Sequence, residues 1–265
     1  MSELPEPGRW EVLALRYAAR PVTRSHIFYR YAEYGEPDGP EEMSYYVWLL
    51  RNCEQTILVD TGYSERGGAR RNRGHIVAPL DALAGVGVTP ADVDLVVNTH
   101  LHYDHTGHLT AFADVPLLVN ATELEVWAGA LAERARFAVD IEPDEISGVL
   151  ARDDLVVMGA EHDVAPGIRA IEVGGHSPGQ MILVVDGEQA PVVLASDAVH
   201  FYEEVDRDYA CAVLVDLERV YGAYDTIRGL VAERGARLLA AHDPRVMDRF
   251  PRLDGNAGSY AVRVA

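Results

Sequence analysis

Lysine is absent from the 265 residues of this chain, so all 23 basic residues are arginine, set against 42 acidic ones and a formal charge of −19. Such a surface repels phosphate backbones and anionic membranes, which argues against nucleic-acid and membrane partners. Cysteine is scarce too. Cys53 and Cys211 stand far apart, with no CxxC pair and no framework spacing, and are read as two buried thiols of a reducing compartment rather than as a disulfide. No uninterrupted apolar run approaches the ~20 residues that cross a bilayer. The acidic, proline-rich start Met1–Gly8 also lacks the apolar core of a secretion signal. The expected compartment is the cytoplasm.

What is present is an ordinary globular composition, with 48% hydrophobic residues to build a core. No short-period repeat is visible, and one domain over 1–265 is expected, with loose ends at about 1–9 and 252–265. The densest chemistry lies in His100-Leu101-His102-Tyr103-Asp104-His105, directly after the apolar run Asp94–Asn98, which reads as a buried strand. Just past a strand, side chains alternate with a period of two, so His100 and His102 point one way while Asp104 and His105 face elsewhere. A lone loop histidine is ordinarily solvated surface. Four potential ligands in six residues are a metal-site pattern.

The remaining elements follow from periodicity and turn signals. Strands are expected at Glu11–Tyr17, Met43–Leu50, Gln55–Asp60, Pro116–Val119, Leu155–Val157, Ile168–Val173, Met181–Val185, Val192–Ala195 and Arg237–Ala241. Helices are expected weakly over His75–Ala84, over Thr106–Ala113, over Thr122–Phe137 with Thr122 as N-cap, and over Leu217–Glu233. Arg20–Glu42 reads as a long loop whose Phe28, Tyr29, Tyr31 and Tyr34 either line a pocket or anchor the loop itself, and Asp140–Val149 reads as an insertion. Strands first, a helical middle, strands again and a closing helix–strand suit an α/β fold built as an αββα four-layer sandwich.

Three later residues end strands or occupy tight turns: His176 in Gly174-Gly175-His176-Ser177-Pro178-Gly179, Asp197 after Val192–Ser196, and His242 before Asp243-Pro244. Taken with HxHxDH and the Val59-Asp60-Thr61-Gly62 element, they resemble the motifs of the metallo-β-lactamase-fold hydrolases over most of the chain, from Asp60 to His242. The resemblance implies two divalent metal ions. His100, His102 and His176 would hold one, Asp104, His105 and His242 the other, and Asp197 would bridge them, with Asp60 supporting the ligands from below. Imidazole and carboxylate donors without thiolate suit Zn²⁺, with Mn²⁺, Fe²⁺ or Co²⁺ as alternatives. His26, His75, His108 and His162 match no ligand position.

Within this superfamily the chain is most similar to the N-acyl homoserine lactonases. β-Lactamases of the fold generally replace the bridging carboxylate, and glyoxalase II-type thioesterases append a helical region for which too few residues follow His242. The resemblance therefore implies a lactone or related ester as substrate, opened by a metal-bridging hydroxide, with Asp104 relaying a proton to the leaving alkoxide. Another ester or thioester hydrolase, or an iron-dependent dioxygenase or oxygen reductase, uses the same ligand set and stays open. One departure concerns a tyrosine that the lactonases carry three residues after the bridging Asp: here the position is His200, with Tyr202 two residues on, and either is a candidate oxyanion donor. The oligomeric state is open, a homodimer included.

Overall fold

The structure is a computed structural model and describes residues 4–265. Its strands in chain order are β1 (Glu11–Thr23), β2 (Pro40–Arg51), β3 (Thr56–Val59), β4 (Leu95–Val97), β5 (Leu117–Asn120), β6 (Leu155–Met158), β7 (Glu161–Ala165), β8 (Ile168–Glu172), β9 (Met181–Val185), β10 (Val192–Ser196), β11 (Arg237–Ala240) and β12 (Ala261–Arg263). They form a seven-stranded sheet, ordered β12-β1-β2-β3-β4-β5-β6, and a five-stranded sheet, ordered β11-β10-β9-β8-β7. The first is antiparallel from β12 to β3 and parallel from β3 to β6. In the second, only β10 and β11 run parallel.

Alternation along each strand splits the core in two. Val12 and Ala14 of β1, Trp48 and Leu50 of β2, and Ile57 and Val59 of β3 pack with Leu183 and Leu194 of the other sheet. Their neighbours Leu13, Leu15, Val47, Leu49 and Leu58 face the opposite way and pack with Leu83, Phe112 and Trp127. The first sheet is thus buried on both faces, which is why its strands read as continuous apolar runs. On the second sheet the helix Leu217–Arg234 packs against β10, burying Val220, Tyr224 and Ile227. Helices outside two face-to-face sheets make the αββα sandwich. No helix among the described residues is long and apolar enough to cross a membrane.

Several expectations need correction. β1 continues to Thr23, where it pairs with Pro40 of β2, so the long loop shrinks to residues 24–39. Cross-strand pairing overrides a locally loop-like composition. Within that loop Phe28 and Tyr31 are buried and stack at 5.7 Å, while Tyr34 stacks on Tyr209 at 3.8 Å, so the aromatics anchor the loop. The middle helix ends at Trp127, and its N-cap is Asn120, whose side chain accepts from the Thr122 N–H at 2.7 Å. Gly129 then interrupts the pattern. Asp140–Val149 is packed rather than a bare loop, since the helix Pro143–Leu150 buries Ile146 and Val149.

The C-terminal end, 252–265, is not loose. β12 pairs with β1, Val262, Val264 and Ala265 are fully buried, and the Val12 N–H donates to the Ala265 carbonyl at 2.8 Å. At the other end the Cys53 N–H donates to Pro5 O at 2.9 Å, and residues 1–3 lie outside the described residues. Cys53 itself is exposed and only Cys211 is buried. Ending the chain after Tyr260 removes two buried valines and a sheet edge, a loss of roughly 4 kcal/mol. The melting temperature is expected to fall by about 10 °C. An unchanged melting curve would show the tail to be idle.

Candidate metal centre

The strand order brings five loops to one edge: Asp60 after β3, the HxHxDH run after β4, His176 between β8 and β9, Asp197 after β10 and His242 after β11. His176 Nε2 lies 3.2 Å from His100 Nε2 and 2.9 Å from His102 Nδ1. Asp104, His105 and His242 converge as a second group, their donor atoms within 4.8 Å of one another. Asp197 stands between the groups. Its Oδ2 is 3.3 Å from His176 Nε2 and 3.2 Å from His242 Nε2, and its Oδ1 is 3.3 Å from His105 Nε2. All seven side chains expected as ligands are buried and brought together.

The partners of the outer ring nitrogens set what the inner ones offer. His176 Nδ1 is 2.9 Å from Val213 O, and His242 Nδ1 is 2.7 Å from Ser44 O. A carbonyl only accepts, so each Nδ1 carries the proton and each Nε2 presents a lone pair inward. His105 is oriented in the same way by Asp60 Oδ2, at 2.7 Å. Burial, helped by neighbouring imidazoles, pushes the His100 and His176 rings well below the usual histidine range, keeping them neutral as metal donors must be. Burial would raise the Asp197 carboxyl, but His242, His105 and His200 outweigh it and hold it ionised.

His105 Nε2 and Asp197 Oδ1 are buried with no hydrogen-bond partner. An uncompensated pair of this kind is costly in a folded core. Lone pairs converging on one space, with orphaned donor atoms among them, fit divalent metal ions.

Two buried carboxylates hold the loops. Asp60 accepts from the Thr99 N–H (2.8 Å), the Thr99 hydroxyl (2.8 Å) and the Asn98 amide (3.1 Å) as well as orienting His105. It does so from a left-handed backbone, φ 60°, as Ser196 does at φ 44° beside the extra residue that bulges β10 against β11. Non-glycine residues at positive φ store strain, and both sit directly beneath the centre. Glu123 ties the HxHxDH loop to the His176 loop: it accepts from the Leu101 N–H (2.9 Å), the Gly179 N–H (2.6 Å), the Ser177 hydroxyl (2.7 Å) and the Trp127 indole (2.7 Å).

Of the two candidate oxyanion donors, His200 joins the cluster and Tyr202 does not. His200 Nε2 is 3.3 Å from Asp197 Oδ2, and its backbone N–H donates to the buried Glu204 at 3.0 Å. The Tyr202 ring is packed in the core under the Arg249 guanidinium, 3.6 Å from its centroid, and the residue is absent from the cavity wall. Its position at the head of the helix Tyr202–Arg207 turns it away.

The cavity over the centre, about 90 Å³, is lined by residues that sequence reasoning passed over: Arg20, Arg73, Tyr45, Tyr103 and His26. His26 is a wall residue bonded through Nδ1 to the Thr23 hydroxyl at 2.8 Å, while His75, His108 and His162 lie outside the wall. Glu123 and Glu204 were equally invisible, because a buried acidic side chain reads as a helical surface residue until its partners are known.

Residues 41–248 match the model of the metallo-beta-lactamase superfamily. The chain belongs to this superfamily. Among its members, an N-acyl homoserine lactonase of Bacillus thuringiensis is 26% identical over 213 residues, covering 74% of this chain and 81% of that protein. The N-acyl homoserine lactonase AttM of Azorhizobium caulinodans is 25% identical over 194 residues, 68% of each. In three dimensions, the solved structure of a quorum-quenching N-acyl homoserine lactone lactonase aligns with a TM-score of 0.75 at 22% identity, over 92% of this chain and 94% of its own. A hydrolase of the same substrates, with N-hexanoyl-L-homoserine at its catalytic metal centre, gives 0.76 at 21% identity, over 94% and 98%.

Asp60→Asn replaces an acceptor for His105 Nδ1–H with an amide that competes as a donor. Metal affinity is expected to fall about 10- to 100-fold in a competition titration with a chromophoric chelator, with the fold retained by circular dichroism. Wild-type affinity in the variant would remove Asp60 from the support of the centre.

Proposed function

We propose that this protein is a dinuclear metal-dependent lactonase that opens an N-acyl homoserine lactone or a related small lactone. The observation that carries the reading is the buried Asp197 carboxylate between two groups of three donors. The similarity to lactonases supports the choice of bond. His100, His102 and His176 would hold one cation and Asp104, His105 and His242 the other, with Asp197 available to both. A nitrogen–oxygen donor set without thiolate favours Zn²⁺.

When bound, two divalent cations supply Lewis acidity and lower the pKa of water enough to furnish a nucleophile at neutral pH. The chain's own groups do the rest. Asp104 lines the cavity and stands ready to pass a proton to the departing alkoxide. His200, whose Nε2 lies 3.3 Å from Asp197 Oδ2 and whose backbone N–H is held by Glu204, lines the cavity and would offer Nε2 as a donor toward the carbonyl oxygen. Buried neighbours spare both groups reorganisation in water.

A second reading, hydrolysis of another ester or thioester, shares this machinery and differs only in the acyl partner. An iron-dependent oxygen reaction uses the same donors and is separated by metal analysis and oxygen uptake. On the lactonase reading, chelation abolishes lactone opening and Zn²⁺ restores it. Asp197→Asn lowers bound metal sharply, and His200→Ala lowers kcat by about 100-fold with metal content kept. Full activity in a metal-free preparation sinks the proposal, and thiol-dependent oxygen consumption with bound iron transfers it to the redox class.

A further inference from the structure

We infer that the substrate carries a carboxylate beside the bond that is broken, and that Arg20 and Arg73 hold it. The bond itself rests on the lactonase reading above; the anion site does not, and within that reading it selects a related small lactone bearing a carboxylate over an N-acyl homoserine lactone, which has none.

Most half-buried arginines in this acid-rich chain find carboxylates: Arg16 meets Glu42, Arg24 meets Glu203, Arg71 meets Glu142 and Arg152 meets Asp154, while Arg237, away from the cavity, is met by Gln189 and the Val264 carbonyl. Arg20 and Arg73 are also half-buried, yet neither has a carboxylate within 4.0 Å among the described residues. Both line the cavity over the metal centre. Arg20 uses Nε on the Tyr45 hydroxyl (2.8 Å) and Nη2 on Met43 Sδ (3.5 Å), neither of them an anion. The Arg73 guanidinium rests 5.3 Å from the Tyr45 ring centroid and 5.2 Å from that of Tyr103, aromatic faces that stabilise a cation without occupying its N–H groups.

The carboxylates of the cavity wall are otherwise engaged. Asp104 and Asp197 belong to the ligand set, and Asp140 pairs with Arg136 at 2.6 Å. Two guanidinium groups therefore face the cavity with donor forks in excess, and a planar two-oxygen acceptor matches that fork. A purely neutral substrate would leave them desolvated and unpaired, which is costly. The whole-chain charge of −19 opposes the approach of an anion, so its retention falls to this local pair of cations.

The test uses metal-reconstituted protein and two matched pairs of probes. One pair is a five-membered lactone bearing a ring carboxylate and the same lactone with a carboxamide, compared by kcat/KM. The other is glutarate and its monoamide, which are not lactones, compared by isothermal titration. Wild-type protein is expected to prefer the carboxylate member of each pair by about tenfold or more. In Arg73→Met and Arg20→Met, which keep an unbranched apolar stem and remove the guanidinium, both preferences shrink toward one. Lactones opened without either preference, or preferences untouched by both substitutions, overturn the anion site and leave the lactonase reading standing. An arginine-dependent preference for glutarate with no lactone opened supports the anion site and overturns the lactonase reading instead.

Discussion

A carboxylate removed from water must be given positive charge or donors, and this protein buries two of them beneath one edge of its sheets. Asp60 is satisfied by Asn98, Thr99 and His105; Asp197 is surrounded by imidazoles from three other loops, those of His105, His176 and His242. Each carboxylate thereby links segments that are far apart in sequence, and breaking either link strands a charge in the core. The rest of the architecture follows from that demand. Strands β3, β4, β10 and β11 have to end together, and the left-handed backbone at Asp60 and Ser196 is tolerated because the surrounding bonds over-determine it.

The ligand set was readable because metal donors are chemically rare in their surroundings. Histidines in a Gly-Gly-His-Ser-Pro turn or at the end of an apolar strand have no apolar stripe to join, and HxHxDH compresses four donors into one loop. The sheets were readable through their apolar runs. What escaped depends on partners remote in sequence: the extension of β1 needs Pro40 opposite Thr23, β12 needs β1, and Asn120 rather than Thr122 caps its helix because the chain leaves β5 at that residue. Tyr202 shows the same limit, since one residue more or less of helix decides which way a side chain points.

The wall of the cavity was the least legible part. Arg20 lies in a strand that composition presented as a loop, and Arg73 follows a short helix in a segment with no motif. Their importance is relational. An arginine draws notice only after its neighbours have been inspected and found already paired, and a sequence does not display that deficit. The fold family sets the reacting centre, whereas these side chains set what approaches it.

β2 contributes to both at once. The Ser44 carbonyl orients His242, while Met43 and Tyr45, on either side of it, form part of the cavity wall. Recognition and metal retention thus share three consecutive residues of a single strand buried in mid-sheet. Selection for a new substrate through this wall carries a mechanical linkage: changes at 43 or 45 that shift the strand also tilt a metal ligand. Broadening of specificity in this lineage is then channelled toward the residue 73 side of the cavity, since Arg20 is itself bonded to Met43 and Tyr45 and paired with Met43 across the sheet.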